Sequence, residues 1–258
     1  MKKRILGINA RGEQLKVAEI GLGCMGLSQS YPPFPPKEEG IKFLREAVEL
    51  GVDFFDTSEL YAIYRNEELV GEALEPVRDR VKIATKGGWD IQDGKFCGVD
   101  SRPETLRKAL EGSLKRLRTD HIDLYYIHRV DPKVPIEEVA DAMQKFFDEG
   151  KILHWGISEA TEEYLRRAHA VCPVTCIQNR YSMMARWHEA VFPVLEELNI
   201  GYVAFSPMAN GLLSGKYDQN SVFEPVADYR SVMPQFRKDS FEKNKALLEL
   251  VRTMAAER

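Results

Sequence analysis

Asp56, Tyr61, Lys86 and His128 each sit at or just past the end of an apolar, strand-like run. Asp56 and Tyr61 close FFDTSELY (54–61), Lys86 follows VKIAT (81–85), and His128 ends DLYYIH (123–128). Helical patterns separate these runs, so the order reads β-α-β-α-β with parallel strands. Parallel strands carry their C-termini to one rim, and residues far apart in sequence converge there. An acid, a phenol, an amine and an imidazole that meet on such a rim can protonate a carbonyl oxygen while hydride attacks its carbon.

The four residue types divide the work unequally. Tyrosine titrates near pH ~10 and is a poor acid at neutrality. An adjacent ammonium favours the phenolate, lowers that pKa and eases proton donation. Lys86 would supply the ammonium, Asp56 would hold it protonated and oriented, and His128 could hydrogen-bond the substrate oxygen. The remaining histidines, His121, His154, His169 and His188, are scattered, and no metal cluster is expected.

The elements that must position these groups follow from periodicity and breakers. RILGI and QLKVA predict a β-hairpin over 4–17, with Gly12 in its turn. AEIGLG (18–23) predicts a first buried strand, and the proline-rich stretch 28–36 a loop. A helix from Pro36–Lys37 to Gly51 follows, then a strand over 52–56 and a helix over 66–74. The third strand (81–85) leads through a long loop to a helix from about 102. Ser101-x-x-Glu104 has the spacing of a capping box for that helix, whose apolar stripe is Leu106, Leu110, Leu114 and Leu117. Further strands are expected at 123–128, 154–158, 176–181 and 201–207. Helices follow over 135–150, 161–171 and 188–198, with a long loop over 209–238 and a last amphipathic stretch after it.

Seven βα units in single file predict an α/β protein of the (β/α)₈ TIM-barrel class, one domain over residues 1–258. A closed barrel needs an eighth strand, and the pattern lacks an eighth βα unit. The expectation is a C-terminally incomplete barrel with two open edges. The alternative is a chain that closes imperfectly or by pairing with a partner.

Of the 258 residues, 44% are hydrophobic and 29% charged, with 36 basic against 40 acidic and a net charge of −4. That balance gives no footing for nucleic acid or a membrane surface. The start MKKRILGINARG has no apolar run to make a secretory signal, and no segment reaches the roughly 20 apolar residues of a membrane span. Cys24, Cys97, Cys172 and Cys176 are expected to be reduced, in a cytoplasmic protein.

GLGCMG (21–26) matches the G-x-G-x-x-G dinucleotide fingerprint but lacks its mechanism. That motif opens a helix whose N-terminus meets a pyrophosphate. Here LSQSYPPFPP intervenes, so glycines at a barrel strand end, open to close ligand approach, are the better reading.

GLGCMGLS, FDTSELY, ATKGG, IDLYYIHRVDP, GKILHWGISEA, IQNRYS and AFSPMANGLLSGK, in this order, resemble the aldo-keto reductases. The resemblance runs from about residue 4 to the end. It implies NAD(P)H-dependent, reversible reduction of an aldehyde or ketone, with Tyr61 as proton donor beside Asp56, Lys86 and His128. It further implies NADP (NADPH), or less often NAD, bound across the rim without a Rossmann domain. Ser158 and Gln178 would hold the nicotinamide carboxamide, and Phe205 would stack beneath the ring. Ser206, Pro207, Met208, Gly211 and Leu212 would follow the pyrophosphate, with Gly23, Cys24 and Met25 on the ribose side. Glu159 stands where many relatives carry asparagine. Tyr31 and Trp89 are expected to line the substrate pocket and to suit an apolar or aromatic carbonyl compound. Two other readings share the scaffold: a non-catalytic regulatory or binding protein, and an inactive truncated fragment. The sequence leaves the oligomeric state open.

Overall fold

Apolar runs between glycine and proline breaks become strands, and the amphipathic runs between them become helices. The computed structural model describes residues 1–257. β1 (Lys3–Ile8) and β2 (Gln14–Ala18) pair antiparallel around Gly12, whose φ of +79° suits a residue without Cβ. Then come β3 (Leu22–Gly23), α1 (Lys37–Glu49), β4 (Phe54–Asp56), α2 (Arg65–Leu74) and β5 (Lys82–Gly87). β6 (Trp89–Gln92), β7 (Lys95–Val99), α3 (Pro103–Arg116), β8 (Leu124–Ile127), α4 (Ile136–Asp148) and β9 (Trp155–Ser158) continue the chain. It ends with α5 (Glu162–Val171), β10 (Cys176–Arg180), α6 (Phe192–Leu198), β11 (Gly201–Phe205) and α7 (Lys238–Ala256). Among the described residues, no helix is long and apolar enough to cross a membrane.

Seven strands form one curled sheet in the order β11-β10-β9-β8-β5-β4-β3, with every neighbouring pair parallel. Strand side chains alternate between faces, and the alternation builds two cores. Phe55, Ile83, Tyr125, Ile127, Ile157 and Ile177 point outward, into the cluster shared with the helices. Phe54, Ala84, Leu124, Tyr126 and Cys176 point inward, where Leu6, Leu15 and Val17 of the hairpin pack on them. The hairpin thus packs on the inner core and meets the sheet at Gly201, where any Cβ would collide with the Leu6 carbonyl. Gly7 also bridges to Ile200. Among the described residues, no strand joins β11 to β3.

Several expectations need correction. The first barrel strand is only Leu22–Gly23, because the chain enters a short 3₁₀ turn at Met25–Leu27. The long loop after β5 contains the hairpin β6–β7, turned by Asp93 and Gly94, both with positive φ. An Asp-Gly pair between alternating residues is a hairpin signal, and it was present in WDIQDGKFCGV. The Ser101–Glu104 capping box does not form. The helix begins at Pro103, and Ser101 Oγ is buried without a partner. Asp100 takes over, accepting from the Arg102 amide (3.0 Å) and from Thr105 Oγ1 (2.7 Å). The helix expected over 188–198 is a 3₁₀ segment, Trp187–Val191, followed by α6, with Pro193 in the first turn of α6 where its missing N–H is tolerated. The 209–238 loop is partly structured: Ala209, Leu212 and Leu213 pack against Phe241 and Leu248 of α7.

Candidate active site

Inward-facing residues at the C-terminal ends of the central strands form the site. Asp56 stands two residues beyond Phe54 in β4, Lys86 two beyond Ala84 in β5, and His128 two beyond Tyr126 in β8. Ser158 and Gln178 extend the same face on β9 and β10 and are directly paired in register. Period-two alternation and parallel register therefore bring five side chains from five strands together.

Lys86 is 1% exposed, and its ammonium has three oxygen neighbours. It forms an ion pair with Asp56 Oδ1, donates to the Thr57 carbonyl at 2.9 Å, and lies 3.4 Å from Tyr61 Oη. Asp56 Oδ2 accepts from Gln178 Nε2 at 2.8 Å, so both carboxylate oxygens are engaged. Burial alone would lower the Lys86 pKa, but Asp56 and Tyr61 outweigh it and raise it above its ordinary value. Tyr61 corrects the expected direction: burial raises its pKa, and the opposing pull of Lys86 does not overcome that. The phenol is therefore protonated at neutral pH, with an ammonium in position to stabilise the phenolate once the proton leaves.

His128 is buried and held neutral. Burial, Lys86 and Arg129 push its pKa well below the usual histidine value. Its Nδ1 accepts from the Trp89 indole Nε1 at 2.7 Å and lies 3.0 Å from Ser58 Oγ. The imidazole and the Tyr61 ring stand near-perpendicular, with 5.8 Å between centroids.

The segment carrying Tyr61 is constrained from several directions. Thr57 Oγ1 donates to Asn66 Oδ1 (2.6 Å), and Asn66 Nδ2 donates to the Cys24 carbonyl (2.9 Å) and Ser28 Oγ (2.7 Å). Ala62, Ile63 and Tyr64 all have positive φ, a strained run for residues bearing Cβ. Gln29 Oε1 accepts the Ala62 amide at 2.6 Å and ties this turn to the loop before α1. Thr57, Ser58, Gln29 and Asn66 were not singled out from the sequence. Their role is to orient, and short polar residues carry no spacing signal that tells orienting from capping.

Behind the turn lies a buried charged group. Glu67 accepts from Thr85 Oγ1 (2.5 Å) and from Arg116 Nε (2.6 Å), while Glu59 sits 4.0 Å from Arg116 with Oε1 unpartnered. Burial, then Glu67, raises the Glu59 pKa from 4.5 to about 8. Below the lower value the carboxyl is protonated in folded and unfolded chains alike. Between the two values the unfolded chain releases the proton while the folded one keeps it, so stability falls as pH rises. Glu59→Gln should therefore stabilise the fold at pH 8 by roughly 2–4 kcal/mol and change little at pH 4. Thermal melts of both proteins across that range check the sign; equal Tm shifts at both ends would refute it.

The remaining candidates divide by exposure. Ser158 Oγ accepts from Arg129 Nη1 at 3.2 Å. Phe205 is partly exposed, with the Arg180 guanidinium 5.5 Å from its ring centre. Beyond it Ser206, Ala209, Asn210 and Gly211 all have positive φ, which coils the main chain at the rim, while Pro207 and Met208 stay exposed. Gly23 is exposed and Met25 partly so. Two side chains are elsewhere. The Cys24 thiol is fully buried, facing the Leu22 carbonyl, and Leu212 is fully buried against α7, so only their main chains can face a ligand. Trp89 is 9% exposed and spends its N–H on His128, so it stands behind the imidazole rather than as an open pocket wall. Tyr31 Oη accepts from Asn210 Nδ2 at 2.7 Å, joining the loop before α1 to the loop after β11. Glu159 turns its carboxylate to the Arg180 amide (2.9 Å) and His188 (3.3 Å).

A seven-stranded curled parallel sheet with helices between its strands is a half-barrel of the TIM-barrel class, and here polar groups gather at its C-terminal rim. The aldo/keto reductase family model matches residues 19–258, and the chain belongs to that family, whose members are oxidoreductases acting on carbonyl compounds with nicotinamide cofactors. Probable aldo-keto reductase 1 of Glycine max is 38% identical over 242 residues, which cover 93% of this chain and 69% of that one. The glycerol dehydrogenase of Gluconobacter oxydans superposes with a TM-score of 0.86 at 33% identity, over 99% of this chain and 78% of that one. An aldo/keto reductase of Klebsiella pneumoniae, solved in complex with NADP and acetate, gives 0.65 at 26% identity, over 81% and 70%.

Proposed function

We propose that the chain catalyses the reversible, NAD(P)H-dependent reduction of an aldehyde or ketone to an alcohol, with Tyr61 as the proton donor. The observation that carries this reading is the position of the Lys86 ammonium between the Asp56 carboxylate and the Tyr61 hydroxyl, beside a neutral imidazole. Tyr61 Oη gives its proton to the substrate oxygen, and Lys86, kept charged by Asp56, stabilises the phenolate left behind. His128 directs the substrate oxygen toward Tyr61 by hydrogen bonding.

The rim residues fit a dinucleotide. A carboxamide needs both a donor and an acceptor; Ser158 offers a hydroxyl, and Gln178 keeps its Oε1 free while Nε2 binds Asp56. Phe205 presents a ring face, and the main chain from Ser206 through Pro207 and Met208 to Gly211 and Leu212 forms a curved cradle suited to a pyrophosphate. Gly23 and Met25, with the Cys24 main chain, would flank the ribose. When bound, the nicotinamide supplies the hydride. NADPH is the favoured partner, supported by the NADP complex of the Klebsiella pneumoniae relative, with NADH also within reach of these contacts. The relationship to a glycerol dehydrogenase adds glycerol, in the oxidative direction, to the apolar or aromatic carbonyl compounds that Tyr31 suggests.

The test combines an NADPH fluorescence titration with turnover on such a panel. Saturable binding and carbonyl-dependent NADPH oxidation are expected. Binding without turnover would favour a regulatory protein, and no binding an inactive fragment. Burial holds Tyr61 protonated, Asp56 and Tyr61 hold Lys86 charged, and burial with Lys86 and Arg129 holds His128 neutral, so kcat/KM for reduction should be flat from about pH 6 to about pH 7. A limb near the ordinary histidine pKa that vanishes in His128→Gln would overturn the neutral assignment of His128.

A further inference from the structure

Trp89 is the first residue of the hairpin β6–β7, and its indole reaches back under the imidazole of His128. An indole N–H can donate a hydrogen bond and cannot accept one. At 2.7 Å from Nε1, Nδ1 must therefore be the bare, accepting nitrogen, since two N–H groups cannot face each other at that distance. Ser58 Oγ also approaches Nδ1 at 3.0 Å, but a hydroxyl donates or accepts as its neighbour requires. It also accepts the Leu60 amide at 3.2 Å and lies 3.4 Å from the Lys86 carbonyl, so it has a partner either way. Of the two neighbours, only Trp89 dictates where the imidazole proton sits.

We infer that Trp89 is a positioning residue that locks His128 in the Nε2–H tautomer, so that the free edge of the imidazole is always a donor to the substrate oxygen. This rests on the proposed reduction, in which His128 must donate. The same contact opposes protonation of His128, because a proton on Nδ1 would set it against the indole N–H. The positive charges of Lys86 and Arg129 act in the same direction, and the Tyr61 ring stands near-perpendicular to the imidazole at 5.8 Å between centroids. Phe96, on the second strand of the hairpin, packs edge-to-face on Trp89 at 5.2 Å between centroids. The hairpin thereby holds the indole against the imidazole from outside the sheet.

The decisive measurement is the nitrogen NMR spectrum of histidine-labelled protein, with the His128 signals identified by their loss in His128→Gln. The wild type is expected to show Nε2 protonated and Nδ1 bare at neutral pH. Trp89→Phe should let Nδ1–H population appear, bring the His128 titration toward the ordinary histidine range, and lower kcat roughly 10- to 100-fold with cofactor binding unchanged. Ser58→Ala should keep the wild-type tautomer. Combining Trp89→Phe with His128→Gln should lower kcat no further than His128→Gln alone. A proton on Nδ1 in the wild type overturns the inference whatever the variants do, and so does a pure Nε2–H signal in Trp89→Phe. The spectrum reads the tautomer without turnover, so an inactive wild type would count against the proposed reduction and leave this inference to stand or fall on its own signal.

Discussion

Tyr61→Phe is expected to lower carbonyl turnover by about 10²–10⁴-fold and to leave NADPH affinity within about twofold of the wild type, the signature of losing a general acid that does not hold the cofactor. The phenol oxygen is the only part removed. Its ring, near-perpendicular to His128 and with its centre 5.1 Å from the Lys86 nitrogen, keeps its packing partners. Stability should rise slightly or stay level, because Tyr61 is partly exposed and its hydroxyl's one polar neighbour is a cation that already has two other oxygens. Steady-state kinetics and a fluorescence titration on the same preparation check both halves. Wild-type turnover in Tyr61→Phe would end the assignment of the acid, and lost cofactor binding would mean that the residue holds the site together rather than donating a proton.

Lys86→Met has a different signature, because Lys86 is the buried partner of Asp56 and, in the proposed reaction, also the charge that stabilises the Tyr61 phenolate. Removing one member of a buried ion pair leaves the other uncompensated, an effect of several kcal/mol when burial is complete. Asp56 keeps the Gln178 hydrogen bond and is 15% exposed, so the expected loss is smaller, roughly 2–4 kcal/mol in denaturant unfolding. Turnover should fall by at least about 10²-fold, since Tyr61 loses the charge that stabilises its phenolate. The double variant Asp56→Asn/Lys86→Met separates the two effects. With no stranded carboxylate it should regain much of the stability and none of the turnover. If stability stays low in the double variant, the single-variant loss comes from packing around the aliphatic stem rather than from the orphaned charge.

How much of this could be read before folding varies residue by residue. Asp56, Lys86 and His128 were legible because each ends a strand-like run, and because alternation gives them the parity of the inward-facing Phe54, Ala84 and Tyr126. The stripe of Leu106, Leu110, Leu114 and Leu117 was legible for the same kind of reason, with helical spacing predicting the buried face. Ser101 and Glu104 misled because capping-box spacing is a local preference. Pro103 and the Asp100 carboxylate compete for the same turn, and the Asp131 carboxylate takes the Ser101 amide at 3.1 Å. Cys24 was expected on the ribose side, and the turn after β3 drops its thiol into the core and leaves its main chain to face the rim. Trp89 was placed near the rim, but its partner lies 39 residues away across a hairpin reversal that strand counting passed over.

The sequence by itself determined the fold class, the family and which side chains can meet on one rim. The fold class and the rim follow from local apolar periodicity, because in a parallel sheet periodicity and register repeat from strand to strand, while the family follows from the resemblance of motifs such as FDTSELY and IDLYYIHRVDP. The tertiary structure alone decided what those side chains become once together: a phenol whose pKa rises rather than falls, a carboxylate shared between Lys86 and Gln178, and an imidazole held neutral under an indole. Such properties depend on desolvation and on distances of a few ångströms between residues remote in the chain. At those distances burial and Coulomb attraction are of similar size, so spacing along the sequence cannot tell which one wins.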